Sequence, residues 1–126
     1  MDETVRQVIR QLQDRIERIT DILNLLDVDG NSEAELPRIR KRTHDLLIDL
    51  EIDAKSGVAV GKPLGIREVV QDDFVPPAYQ AYWSLYFNLD LERSPTEGLW
   101  AAQLDQARTF LKSELLLIQN QYPDAE

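Results

Sequence analysis

The first quarter of the chain carries apolar residues at alternating intervals of four and three positions. They are Val5, Ile9, Leu12, Ile16, Ile19, Leu23 and Leu26. This spacing places them along one stripe of a helix, as the a and d positions of a heptad repeat. The pattern predicts a long helix over about 3–27, which ends near Gly30 because glycine favours helix termination. The stripe either packs within the chain or pairs with a second copy as a coiled coil.

Two capping signals predict further long helices. Residues 32–35 (SEAE) form a capping box ahead of an apolar pattern that runs to about 54, so a second helix is predicted over about 33–54. Pro37 suits the first turn and would sit better in a helix that begins nearer to it. Residues 94–97 (SPTE) form another capping box, which predicts a closing helix over about 95–121.

Most of the aromatic residues lie in one segment, residues 78–91 (AYQAYWSLYFNLDL). It predicts a shorter helix over about 77–91, with proline at its start. On a helical wheel, four rings share one face, and Phe87 flanks them. The four are Tyr79, Tyr82, Trp83 and Tyr86. Since this helix is apolar on nearly every side, we expect it to be buried on more than one side.

These elements predict an all-α protein with a single domain over residues 1–126. It is an antiparallel helical bundle of three long helices plus one shorter aromatic-rich helix, because short connections favour antiparallel neighbours. The loop over 55–76 contains three glycines. It is long for a bundle, and long loops are often functional.

Charge and composition narrow the classes of partner. The net charge is −9, which argues against binding to nucleic acid and against electrostatic docking on anionic membranes. It suits a basic partner or simply solubility. The chain has no cysteine, and no apolar run is long enough to span a membrane. The acidic start MDETVRQV does not resemble a secretory signal, so we expect a cytoplasmic protein.

The residues do not form a recognisable catalytic pattern. His44 is the single histidine and has no cysteine or second histidine to complete a metal site. Lys62 follows Gly61 without the Ser or Thr of a phosphate-binding loop. Glu68 and Asp72 are four residues apart and could share a hard cation if that segment is helical. We expect no enzyme activity, no metal and no cofactor.

The one basic cluster lies at residues 38–42, early in the second predicted helix. It comprises Arg38, Arg40, Lys41 and Arg42. These side chains could bind a phosphate or an acidic tail, although cations oppose the helix dipole at this end. The favoured interpretation is that they pair with acidic residues at the end of the first helix and in the loop that follows.

The aromatic segment is the best functional candidate, because Tyr and Trp are enriched at binding hot spots. The simpler alternative is that the rings fill the bundle core. We therefore predict an interaction module that binds a protein or peptide partner, of adaptor, assembly-chaperone or inhibitor type. A homodimer would explain the excess apolar surface. The alternatives are a metal-dependent helical enzyme that uses carboxylates and a docking domain of a larger complex. The predicted binding surface combines residues 56–77 with the aromatic residues Phe74, Tyr79, Tyr82, Trp83 and Tyr86.

Overall fold

A computed structural model describes residues 2–30, 32–56 and 77–121, with side chains for 6–30, 32–53 and 81–120. Within these residues the chain forms four helices and no strand. They are α1 (Asp2–Asp29), α2 (Leu36–Ser56), α3 (Pro77–Asn88) and α4 (Trp100–Gln121). The fold is the predicted all-α bundle, with three long helices and a shorter aromatic-rich one.

Each helix packs against two neighbours. α1 and α3 both contact α2 and α4, so α1 and α3 occupy opposite corners of the bundle. Arg15 pairs with Asp53 and Arg18 pairs with Asp49, which makes α2 antiparallel to α1. Arg108 on α4 donates a hydrogen bond to Thr20 on α1. This bond adds a direct contact between α4 and α1.

The core is mostly aliphatic, with one buried tryptophan and one buried tyrosine among the described residues. From Ile9 to Leu26 the α1 stripe faces inward, buried or partly buried against the core, and Val8 and Ile22 join it as buried residues. The heptad stripe thus packs within the chain against the other helices. The buried apolar residues are Val8, Ile9, Leu12, Ile19, Ile22, Ile39, Leu46, Leu50, Ala81, Tyr82, Leu85, Trp100, Leu104, Ala107, Leu111 and Ile118.

The end of α1 requires glycine. The amide of Gly30 donates to the carbonyl of Leu26 at 3.0 Å, and a Cβ at position 30 would lie 2.3 Å from that oxygen. α2 begins at Leu36, three residues after the predicted start. The capping box folds as a turn in which the carbonyl of Ser32 accepts from Glu35 and Leu36. Pro37, which has no amide hydrogen, then falls in the first turn of the helix.

The connection between α3 and α4 is longer than the sequence predicts. α3 ends at Asn88, because Asp90 turns back and accepts a hydrogen bond from the amide of Glu92. The amide of Glu97 donates to the hydroxyl of Ser94 at 3.2 Å, so the predicted capping contact forms. It opens a turn rather than α4, because Leu99 adopts a left-handed conformation with φ of 52°. α4 therefore starts at Trp100 instead of residue 95.

Tertiary packing explains this late start. The indole of Trp100 is fully buried and donates from Nε1 to the carbonyl of Asp90 at 2.9 Å. That bond ties the first residue of α4 to the end of α3. Gly98 lies directly against the indole, where a Cβ would be 2.7 Å from Nε1.

Candidate functional site

α3 has two apolar faces, and within the described part of the chain only one of them is packed into the core. The inner face packs Ala81, Tyr82 and Leu85 into the core, where each is buried. The outer face carries Trp83, Tyr86 and Phe87, which are 43%, 55% and 70% exposed. We call these three residues the aromatic surface. Large apolar patches that stay exposed on a soluble domain commonly mark a binding surface.

The three exposed rings are packed against one another. The planes of Trp83 and Phe87 are 13° apart and their centroids 5.1 Å apart, which is a stacked pair. Tyr86 meets both rings edge-on, at 5.9 Å from Trp83 and 5.1 Å from Phe87. Both arrangements are favourable for aromatic pairs. The rings are consequently held in a defined cluster and still present much of their area to solvent.

The structure divides the predicted binding residues into three groups. Trp83 and Tyr86 lie on the aromatic surface. Tyr82 is only 6% exposed and lies beneath them, with its ring 5.5 Å from that of Trp83. Phe74 and the side chain of Tyr79 lie outside the described residues. The core-filling alternative therefore applies to Tyr82, whereas Trp83 and Tyr86 are left on the outside.

Phe87 is the most exposed ring of the aromatic surface, and the sequence analysis placed it only at the flank of the predicted face. A signal for it was present, since Phe87 follows Trp83 by four residues, the spacing at which helical side chains meet. Spacing alone does not show which face of α3 meets the core. Once Ala81 and Leu85 are known to face inward, Phe87 must face outward.

The aromatic surface is electrically neutral, and its carboxyl end is acidic. Residues 74–89 contain no charged side chain, although 29% of the chain is charged. Asp90 and Glu92 follow immediately and are exposed. The carbonyl end of α3 adds partial negative charge at the same place. Arg93 Nε lies 3.5 Å from Asp90 Oδ2 and offsets part of this negative charge.

A buried ion pair joins α1 to α2. Asp53 is 1% exposed and accepts from Arg15 Nε at 2.8 Å, Arg15 Nη2 at 3.1 Å and Gln11 Nε2 at 2.7 Å. Burial lowers the pKa of Arg15, but its hydrogen bonds and attraction to Asp53 and Asp14 outweigh this, so the net pKa is raised. Because Arg15 therefore stays charged, the cluster fixes the register of α1 on α2.

The described residues do not bring together a candidate metal site. Within that part of the chain, no three Asp, Glu or His side chains are grouped so that they could hold a metal ion. His44 is exposed on α2. Glu68 and Asp72, on which the metal-enzyme alternative depends, lie outside the described residues.

The basic cluster of α2 is mostly engaged. Arg38 pairs with Glu35 in the turn before α2, as the favoured interpretation expects. Lys41 pairs instead with Asp45 along its own helix. The guanidinium of Arg40 lies 5.9 Å from the ring centre of Trp100, a distance typical of cation–π contacts.

Another apolar surface lies where α1 ends and α4 begins. Leu99 is 60% exposed there and borders an open cleft with Leu26 and Pro95. Ala101 and Ala102 complete much of the lining. This cleft lacks a cluster of rings, so the aromatic surface is the stronger candidate.

Among the described residues, no helix is long and apolar enough to cross a membrane. Comparison of the chain with protein-family models, with curated proteins and with solved structures finds no match.

Proposed function

We propose that this chain is a non-enzymatic interaction module that binds a protein or peptide partner on the aromatic surface of α3. The observation that carries the proposal is the joint exposure of Trp83, Tyr86 and Phe87 as one packed cluster. Tyr and Trp supply much of the binding energy at interfaces, since they bury a large area and lose little side-chain entropy.

The rest of the helix supports this role. The inner residues Ala81, Tyr82 and Leu85 anchor α3 on α2 and α4. The exposed rings therefore stand on a rigid element, as a preformed binding surface should. A helix exposed on its outer side would ordinarily carry polar residues there. The absence of charge across residues 74–89 is accounted for if a partner covers this face.

Affinity capture from the native cell with three tagged baits tests the proposal. The baits are the wild-type chain, a Trp83→Ser/Phe87→Ser variant and a Val28→Ser control. Val28 is also an exposed apolar residue, at 78%, but it lies on α1, at the opposite corner of the bundle from α3. We expect one partner to be retained by the wild type and the control and lost by the double variant.

The captured partner is then purified and titrated into each bait by calorimetry. Binding to the wild type and the Val28→Ser control, without binding to the double variant, supports the proposal. Equal affinity for all three baits would place the binding surface elsewhere and refute it. Circular dichroism checks that each bait is folded.

A further inference from the structure

The size of the aromatic surface limits what can cover it. At about 150–250 Å² per aromatic side chain, the exposed fractions of the three rings correspond to about 250–420 Å². A stable complex of two globular proteins buries about 800 Å² on each side. The aromatic surface supplies about half of that at most, so it suits a short segment better than a second copy of this chain.

The charges around the aromatic surface indicate the chemistry of that segment. Its centre would lie on the uncharged outer face of α3 and must itself be apolar, because a buried charge without a partner is costly. One of its ends would lie over the carboxyl end of α3. There it meets the exposed carboxylates of Asp90 and Glu92 and the carbonyl end of the helix.

Asp90 and Glu92 differ in how strongly they are already engaged. Asp90 accepts a hydrogen bond from the amide of Glu92 and lies near Arg93, so its carboxylate also shapes the turn. Glu92 is exposed and can be altered without losing that hydrogen bond, which its amide donates. Glu92 is therefore the residue through which the charge of the partner can be tested.

We infer that the partner docks through a short apolar segment that carries Lys or Arg at one end, with that end placed over Asp90 and Glu92. This inference rests on the proposed function and deepens it. The apolar part would supply most of the affinity. The cation would set the direction of the segment and speed its association, as charges at an interface rim do.

Selection from a random peptide library displayed on phage tests both the proposed function and this inference. Wild-type protein is the bait, and the Trp83→Ser/Phe87→Ser variant removes peptides that bind elsewhere. We expect the surviving peptides to combine apolar residues with Lys or Arg near one end. A Tyr86→Ser variant, which keeps the Trp83–Phe87 stack, provides a second check should the double variant fold poorly.

The affinity of a selected peptide is then measured against Glu92→Lys and against Glu17→Lys. Glu17 is also exposed, and it lies on α1 at the opposite corner of the bundle. Both substitutions replace Glu by Lys, so they change the net charge equally. Reversal of a rim charge should weaken binding by roughly threefold to tenfold for Glu92→Lys. Charge reversal at Glu17 should leave the affinity within about twofold of that of the wild type, because distant charges are screened.

The outcomes separate the inference from the proposed function. Peptides that need the aromatic surface but lack Lys or Arg, or that bind Glu92→Lys as tightly as the wild type, overturn the inference alone. Failure to select any peptide that distinguishes the wild type from the surface variants overturns both. Binding of wild-type protein to phosphatidylcholine vesicles, lost in the double variant, would identify a lipid surface and also overturns both. A wild-type dimer that is lost in the double variant would show that a second copy covers the aromatic surface, and this result also overturns both.

Discussion

The two faces of α3 should respond very differently to truncation. We compare Phe87→Ala with Leu85→Ala, two residues on the same helix that receive the same new side chain. Phe87 is 70% exposed and Leu85 is 1% exposed. Fully burying a Phe side chain stabilises a protein by about 1.5–3 kcal/mol, so the buried third of Phe87 accounts for about 0.5–0.9 kcal/mol.

Two further effects act in Phe87→Ala. Loss of the stack on Trp83 and of the edge-on contact with Tyr86 costs about 1 kcal/mol at about 0.5 kcal/mol per pair, and the higher helix propensity of alanine offsets about half of that. We therefore expect the free energy of unfolding to fall by about 1–1.5 kcal/mol. Leu85→Ala removes a side chain from the core and leaves a cavity, which should cost about 2–5 kcal/mol.

Urea denaturation followed by far-ultraviolet circular dichroism measures both values, provided that the transitions are two-state. A domain of 126 residues is stable by about 6–19 kcal/mol, so both variants should remain folded. The unfolding slope should match that of the wild type. Equal losses for the two variants at every protein concentration would show that Phe87 is buried within the chain. A loss for Phe87→Ala that grows with protein concentration would show that a second copy covers it.

Three further predictions concern stability and assembly. Arg15→Met should lower the free energy of unfolding by about 3 kcal/mol in urea denaturation, because Asp53 stays buried without its bidentate partner. The double variant Arg15→Met/Asp53→Leu should lower the free energy of unfolding by less. An equal or larger decrease for the double variant would contradict the explanation by a buried carboxylate. Since the pKa of Arg15 is raised, its stabilisation is lost only as the pH rises through that strongly alkaline value, and the effect of Arg15→Met should be the same at neutral and mildly alkaline pH. Gly98→Ala should lower the melting temperature by an amount equivalent to about 1–3 kcal/mol, because the new methyl would displace the indole of Trp100, and an unchanged melting temperature would show that the indole moves freely. The homodimer predicted from the sequence requires twice the monomer mass of 14.5 kDa in light scattering at micromolar concentration, and a monomer mass there would refute it.

The sequence predicted the helices wherever the apolar period was long. α1 and α2 follow their stripes closely, because core packing selects the same residues that the spacing aligns. Helix starts were less predictable. The contact between Ser94 and Glu97 forms as the capping box implies, yet α4 begins only at Trp100. The deciding contact joins Trp100 to Asp90, ten residues earlier at the end of α3, and local capping rules do not include it.

The candidate site likewise combines features that the sequence predicts with features that only the tertiary structure decides. The sequence by itself determined that α3 is rich in aromatic residues, uncharged and apolar on nearly every side. It could not determine which rings face the core, because the narrow polar strip of Gln80, Ser84 and Asn88 gives the helix only a weak hydrophobic direction. Only the packing of Ala81 and Leu85 against the neighbouring helices fixed the rotation of α3. That rotation buried Tyr82 and left Trp83, Tyr86 and Phe87 exposed.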